Sequence, residues 1–216
     1  MKRLLIMGAP GAGKGTQASL VKNEYKIAHI STGDMFREAI SNKTPVGLEA
    51  KGYIDNGQLV PDSITIRLVE ERLKQDDCAT GFLLDGFPRT TNQAVALDEM
   101  LKINGIKLDG VINIKTDDLV LIDRIVGRRT CPKCKEGYHI TAKKPQKEGI
   151  CDLCGSTLVQ RADDNVETVT NRLNVYHSQT APVLDHYSKQ GIVIDVDGMK
   201  DIALVFEEIK EKLGDN

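Results

Sequence analysis

The stretch Gly8-Ala9-Pro10-Gly11-Ala12-Gly13-Lys14 decides how this chain is read. It matches G-x-x-x-x-G-K, and it stands between an apolar run at residues 2–7 and a helical pattern at 13–25, the context that gives the motif meaning. Glycines let the backbone curl so that successive N–H groups point inward at phosphate oxygens. The helix start adds partial positive charge, and Lys14 adds a mobile full charge for β- and γ-phosphates. Gly15 follows the lysine where Ser or Thr is usual, with Thr16 next. Mg²⁺ is therefore expected to rest on nucleotide phosphates, waters and a more distant carboxylate. Without its context the stretch would be only a structural glycine turn.

Outward from this loop, apolar runs alternate with amphipathic ones, the signature of a parallel α/β sheet. Strands are expected at residues 2–7, 27–30, 81–85, 110–114 and 191–196. Helices are expected to 25, from Ser31-Thr32-Gly33-Asp34 to 40, from an Asp62 or Ser63 cap to 73, from 90 to 102, from Asp117 onward, and over 201–213. Thr90 and Gln93 have the spacing of a capping box. Asp85 ends an apolar strand, where α/β folds place ligand-facing groups, and is assigned to water-mediated Mg²⁺ binding. Asp34 is a weaker candidate that also suits a helix start. The alternative for Asp85 is a capping or loop carboxylate.

Residues 127–164 break the rhythm and carry four of the five cysteines. Cys131-Pro-Lys-Cys134 and Cys151-Asp-Leu-Cys154 give C-x₂-C-x₁₆-C-x₂-C, within the spacing of zinc sites. Two turns with two thiolates each close a tetrahedral, structural Zn²⁺ site with no open position for catalysis. So small and polar an insert needs metal to hold it together. Iron could enter a four-sulfur site, and disulfides or free thiols are the alternative. Cys78 stands apart as a small buried or half-buried residue.

Of the 216 residues, 40% are hydrophobic but only 4% aromatic, so aliphatic side chains must build the core. Net charge is −2, from 29 Lys+Arg against 31 Asp+Glu, which excludes a global basic field for nucleic acid or anionic lipid. No apolar run approaches the roughly 18–20 residues that span a bilayer. The apolar part of residues 1–7 is too short for a secretory h-region, so a cytoplasmic chain with reduced thiols is expected. No Ser/His/Asp or Cys/His arrangement is convincing, and His29, His139, His177 and His186 are read as structural or surface residues.

Gly8–Thr16 with glycine after the lysine, Ser31-Thr32-Gly33-Asp34-Met35-Phe36-Arg37, Leu84-Asp85-Gly86-Phe87-Pro88-Arg89 and Asp123-Arg124-Ile125-Val126-Gly127-Arg128-Arg129 occur in order. Together they resemble the nucleoside monophosphate kinases, and among them the adenylate kinases of long-lid form, over essentially the whole chain. The resemblance implies a P-loop three-layer fold: a central parallel five-stranded sheet flanked by helices. It implies a core of residues 1–30, 61–126 and 165–216, an AMP-binding insert at 31–60 and a zinc lid at 127–164. It implies Mg²⁺-dependent exchange between ATP, AMP and ADP, and a monomer. On the AMP side it points to Thr32, Arg37, Gln58, Leu59, Val60, Gly86, Phe87, Pro88, Arg89 and Gln93. On the ATP side it points to Gly11, Ala12, Gly13, Lys14, Gly15, Thr16, Arg124, Arg128, Gly137, Tyr138 and Lys200, the last through its backbone. Arg161 and Arg172, which flank Asp163-Asp164, match arginines that reach the transferring phosphoryl group. Many zinc-bearing relatives have Asp where this chain has Cys154.

The residue types suit that chemistry. Phosphoryl transfer is in line, its negative charge is spread over equatorial oxygens, and catalysis is chiefly positioning and neutralisation. Two polyanions meet in one cleft only if cations intervene, and Lys14, Arg37, Arg89, Arg124, Arg128, Arg161 and Arg172 would supply them. The alternative for any one arginine is an ordinary solvated surface contact; Arg129 is left as surface or secondary. Three other readings remain open: a kinase for UMP, CMP or GMP, against which Thr32 and Gln93 speak; a nucleic-acid binder with Lys143, Lys144 and Lys147 beside its zinc site; and a non-catalytic nucleotide sensor.

Overall fold

The computed structural model describes residues 1–214. Its centre is a five-stranded parallel sheet, ordered β2-β3-β1-β4-β7, built from β1 (Arg3–Gly8), β2 (Ala28–Ser31), β3 (Phe82–Asp85), β4 (Gly110–Lys115) and β7 (Val193–Asp197). The central strands β1, β3 and β4, buried along most of their length, read as near-continuous aliphatic runs. Leu4, Leu5, Leu83, Leu84, Val111 and Ile112 are fully buried. Each crossover carries helix: α1 (Lys14–Tyr25), α2 (Thr32–Ser41), α3 (Pro45–Asp55), α4 (Asp62–Leu73), α5 (Thr91–Ile103), α6 (Asp118–Val126), α7 (Val166–Val175) and α8 (Pro182–Ser188), with α9 (Ile202–Leu213) after the last strand.

The sheet has an apolar cluster on each face. One joins Ile6, Ala18, Val21, Ile125, Val169 and Ile209; the other joins Met7, Val69, Phe87, Leu97, Val183 and Tyr187. Two satellite clusters stand apart. Phe36, Ala50, Val60 and Ile64 close the α2–α3 insert, and Cys131, Tyr138, Cys151 and Leu158 close the cysteine insert. In the latter, β5 (Arg128–Thr130) pairs antiparallel with β6 (Gly137–His139).

Two expectations about local structure change. Neither Asp62 nor Ser63 caps α4: Asp62 is its first residue, and no side chain caps the helix. The box at α5 is only half formed. Thr90 Oγ1 accepts from Gln93 N–H at 3.1 Å, but Gln93 Oε1 reaches past Thr90 to accept from Arg89 N–H at 2.8 Å. The stretches holding α3, α7 and α8, for which the periodicity above names no element, are helical. Thr44 caps α3 by accepting from Gly47 N–H, and Asn165 caps α7 by accepting from Thr168 N–H. A π-turn, Tyr176–Thr180, joins α7 to α8.

Candidate functional site

The glycine loop lies between the C-terminal end of β1 and the start of α1. Gly13 caps α1 with φ 96°, a left-handed conformation that costs glycine little, and no side chain claims the first amides of the helix. Lys14 folds back over the loop and donates from Nζ to Gly8 O at 2.7 Å and Ala9 O at 2.9 Å. Burial brings its pKa down to about 7; Asp85 opposes that fall, while Arg89, Arg172 and Arg128 add to it. Those four residues are therefore its electrostatic neighbours.

Asp85 ends β3, and β2 sets Ser31 beside it in register. Burial pulls its carboxyl upward, but His29, Lys14 and Arg89 outweigh that and hold it below the usual carboxylate range. His29, read from sequence as structural or surface, stands 3.3 Å from Asp85 Oδ2 through Nε2. It belongs to the surroundings of the site. The signal for it was its place in β2, the strand paired to β3.

The arginines approach from α2, β5, α7 and two loops, and four of the five arrive already facing a carboxylate. Arg37, on α2, donates to Asp34 Oδ1 at 2.6 Å. Arg161, in the cysteine insert, lies 3.7 Å from the same oxygen. Burial pulls the Asp34 carboxyl upward, yet Arg37 and Arg161 keep it low. Arg128 grips Asp164 with Nε at 2.9 Å and Nη2 at 2.5 Å. Arg172, on α7, donates to Asp163 at 2.9 Å and lies 3.6 Å from Asp164. The Asp164 side chain is 0% exposed, and adjacent acids between two predicted arginines were its sequence signal. Burial lowers Arg161 and Arg172 to about 10 each. Arg89 is lowered as well, chiefly by burial, and its Nε donates to Gly86 O at 2.7 Å. Desolvation is the largest cause for all three, and the neighbouring arginines add to it.

Beside these cations a cleft is lined by Thr32, Gly33, Phe36, Arg37, Ile54, Gly57, Gln58, Leu59, Val60, Thr65, Gly86, Arg89, Gln93, Asp163 and Arg172. Most of the residues expected on the AMP side thus share one wall. Thr32 Oγ1 donates to Gly86 O at 2.8 Å. Phe87 and Pro88 are buried and joined by a cis peptide bond. On the other side Arg124 donates to Gly198 O at 3.1 Å, next to Lys200, whose Nζ is occupied by Glu208 at 2.8 Å. Tyr138, expected on the ATP side, lies in β6 of the cysteine insert. Its ring is buried in the cluster of the cysteine insert, and its hydroxyl accepts from Asp152 N–H at 2.8 Å and meets Cys151 Sγ at 3.6 Å.

The four insert cysteines converge. Cys131–Cys154, Cys134–Cys151 and Cys134–Cys154 sulfurs are 3.4, 3.5 and 3.6 Å apart, and all four lie within 4.8 Å of one another. Sulfurs about 2.3 Å from one centre would stand about 3.8 Å apart at tetrahedral corners. All five cysteines are free thiols. The donor set and its spread fit a four-thiolate metal. Cys78 is buried apart from them, with Arg72 Nη1 at 3.0 Å from its sulfur.

The family model described as adenylate kinase matches residues 6–192. The chain is 57% identical to an adenylate kinase of Carboxydothermus hydrogenoformans over 98% of this chain and 99% of that protein. It is 53% identical to one of Clostridium beijerinckii over 99% of both chains. With one of Bacillus subtilis the figure is 54%, over 98% of this chain and 97% of that protein.

Proposed function

This chain belongs to the adenylate kinase family, and from that premise we propose that it catalyses reversible, Mg²⁺-dependent transfer of the terminal phosphoryl group of ATP to AMP, giving two ADP, in the service of adenine nucleotide balance. It is a phosphotransferase of the α/β P-loop fold. One observation carries the reading of the site. Lys14, Arg37, Arg89, Arg128, Arg161 and Arg172 crowd one cleft that also holds Asp34, Asp85, Asp163 and Asp164; burial, with neighbouring cations adding to it, lowers the proton affinity of Lys14, Arg89, Arg161 and Arg172. Such an excess of buried positive charge is costly until polyanions fill it.

The roles follow from placement. The glycine loop and Lys14 cradle the ATP phosphates through N–H groups and the ammonium. Arg37 and Arg89 hold the AMP phosphate, with Thr32, Gln58, Leu59, Val60, Gly86 and Gln93 around the nucleoside. Arg124 and Lys200 stand on the side given to the ATP base. Arg128, Arg161 and Arg172 exchange carboxylate partners for phosphate oxygens as charge spreads in the transition state, a trade their planar forks make without new geometry. The AMP phosphate is ionised at neutral pH, so no general base is needed. Asp85, held ionised beside Lys14, is the carboxylate suited to the waters of Mg²⁺, which when bound with ATP neutralises the β- and γ-oxygens.

Residues 31–60 form the AMP-binding insert and 127–164 the lid, each supported by its own small core; the rest is the phosphate-binding core. Cys131, Cys134, Cys151 and Cys154 would hold Zn²⁺, which when bound ties two turns of the lid together. No helix among the described residues is long and apolar enough to cross a membrane; we place the enzyme in the cytoplasm, acting as a monomer without nucleic acid. The test is a coupled assay of ADP formation from ATP and AMP, with and without Mg²⁺, beside metal analysis. Magnesium-dependent turnover with AMP ahead of UMP, CMP and GMP, and about one zinc per chain, is expected. A preference for UMP would overturn the assignment.

A further inference from the structure

The wall that carries Gln93 holds a hydrogen-bond arrangement that phosphoryl transfer does not use. Asp62, at the start of α4, collects three donors. Thr90 Oγ1 at 2.9 Å and Asn92 Nδ2 at 3.0 Å reach Oδ2, and Gln93 Nε2 reaches Oδ1 at 2.7 Å. Gln93 is 1% exposed and lines the cleft. At its other end, Oε1 accepts from Arg89 N–H at 2.8 Å.

The amide is therefore gripped on both sides by groups of fixed polarity. A carboxylate can only accept and a backbone N–H can only donate. Turning the amide over would set its NH₂ against an N–H and its oxygen against a carboxylate, so one orientation satisfies the network. One N–H and one oxygen lone pair are left over, and their order is fixed. Adenine offers a ring N1 acceptor beside a 6-amino donor. Hypoxanthine and guanine offer the reverse, N1–H beside a 6-oxo acceptor. A site built around one polarity rejects the opposite one because buried groups would be left unpaired.

We propose that Asp62 is a positioning residue that locks the amide of Gln93, so that the cleft takes 6-amino and rejects 6-oxo purine monophosphates. The proposal rests on the reading that this cleft binds AMP. Its test is kcat/KM for AMP and for inosine monophosphate, with ATP as donor, in the wild type, Asp62→Ala and Asp62→Asn. Asp62→Ala removes the acceptor and should lower the AMP-to-IMP ratio at least about tenfold. Asp62→Asn keeps an Oδ1 for Gln93 and should hold the ratio within about threefold of the wild type. Should the alanine variant not fold, Asp62→Ser, too short to reach Gln93, takes its place. A loss of packing alone would slow both substrates together. An unchanged ratio in Asp62→Ala, or an equal loss in Asp62→Asn, overturns the lock while leaving the AMP assignment intact. A wild type that prefers another monophosphate overturns both.

Discussion

Burial sets the Lys14 ammonium at about 7, so a large share of it is neutral in the ligand-free protein near neutral pH. Phosphate needs the charged form. The value of kcat/KM for ATP should therefore fall as pH rises above about 7, while saturating nucleotide, which favours the ammonium, moves the limb of kcat upward. A pH–rate profile checks this, and a flat kcat/KM to pH 9 would contradict it. Lys14→Met should lower kcat by about 10²–10³. Asp164 makes a different demand. Its buried carboxylate faces Arg128 and Arg172, whose side chains are 24% and 20% exposed. Asp164→Ala should cost about 2–3 kcal/mol in urea unfolding, less than for a fully buried pair, because solvent reaches both arginines. Lys14 was legible from the G-x-x-x-x-G-K motif that runs into α1, and Asp85 from its place at the end of an apolar strand. Asp62 was not, since its donors lie about 30 residues away and only folding brings them to it.

At the scale of elements, α3 shows where periodicity loses to packing. Pro45-Val-Gly47-Leu-Glu-Ala50-Lys-Gly52 has two glycines and poor helix propensity. It is helical because Thr44 caps it and because Gly47 lets it lie on α2: a Cβ there would stand 2.1 Å from Ala39 O. Gly47→Ala should destabilise the protein by about 1–3 kcal/mol and raise KM for AMP more than KM for ATP, since α2 carries Arg37. Thermal unfolding and steady-state kinetics measure both, and equal changes in the two KM values would count against this packing role. By contrast α7 was within reach of the sequence. Val166, Val169, Leu173 and Tyr176 recur at three- and four-residue spacing, and Asn165 announces the cap.

Across the whole molecule the inserts and the core meet through charge. Arg161 of the cysteine insert faces Asp34 of the α2–α3 insert, and Arg128 and Arg172 share Asp164. Closing the lid over the cleft would exclude water that otherwise hydrolyses ATP. The lid's own core holds few apolar side chains, so removing metal with a chelator should open residues 127–164 to protease and lower the thermal midpoint, while the sheet keeps its protection. Unchanged protease resistance after metal loss would rule out a structural role for the ion. Sequence alone determined the alternation of apolar strands with helices, the glycine loop and the four-cysteine spacing, because each is a pattern read from neighbours within a short stretch. Only the tertiary structure decided which carboxylate holds which arginine, that Tyr138 turns into the lid, and that Asp62 grips Gln93. Those contacts join separate elements, and burial sets their strength only once the elements are packed.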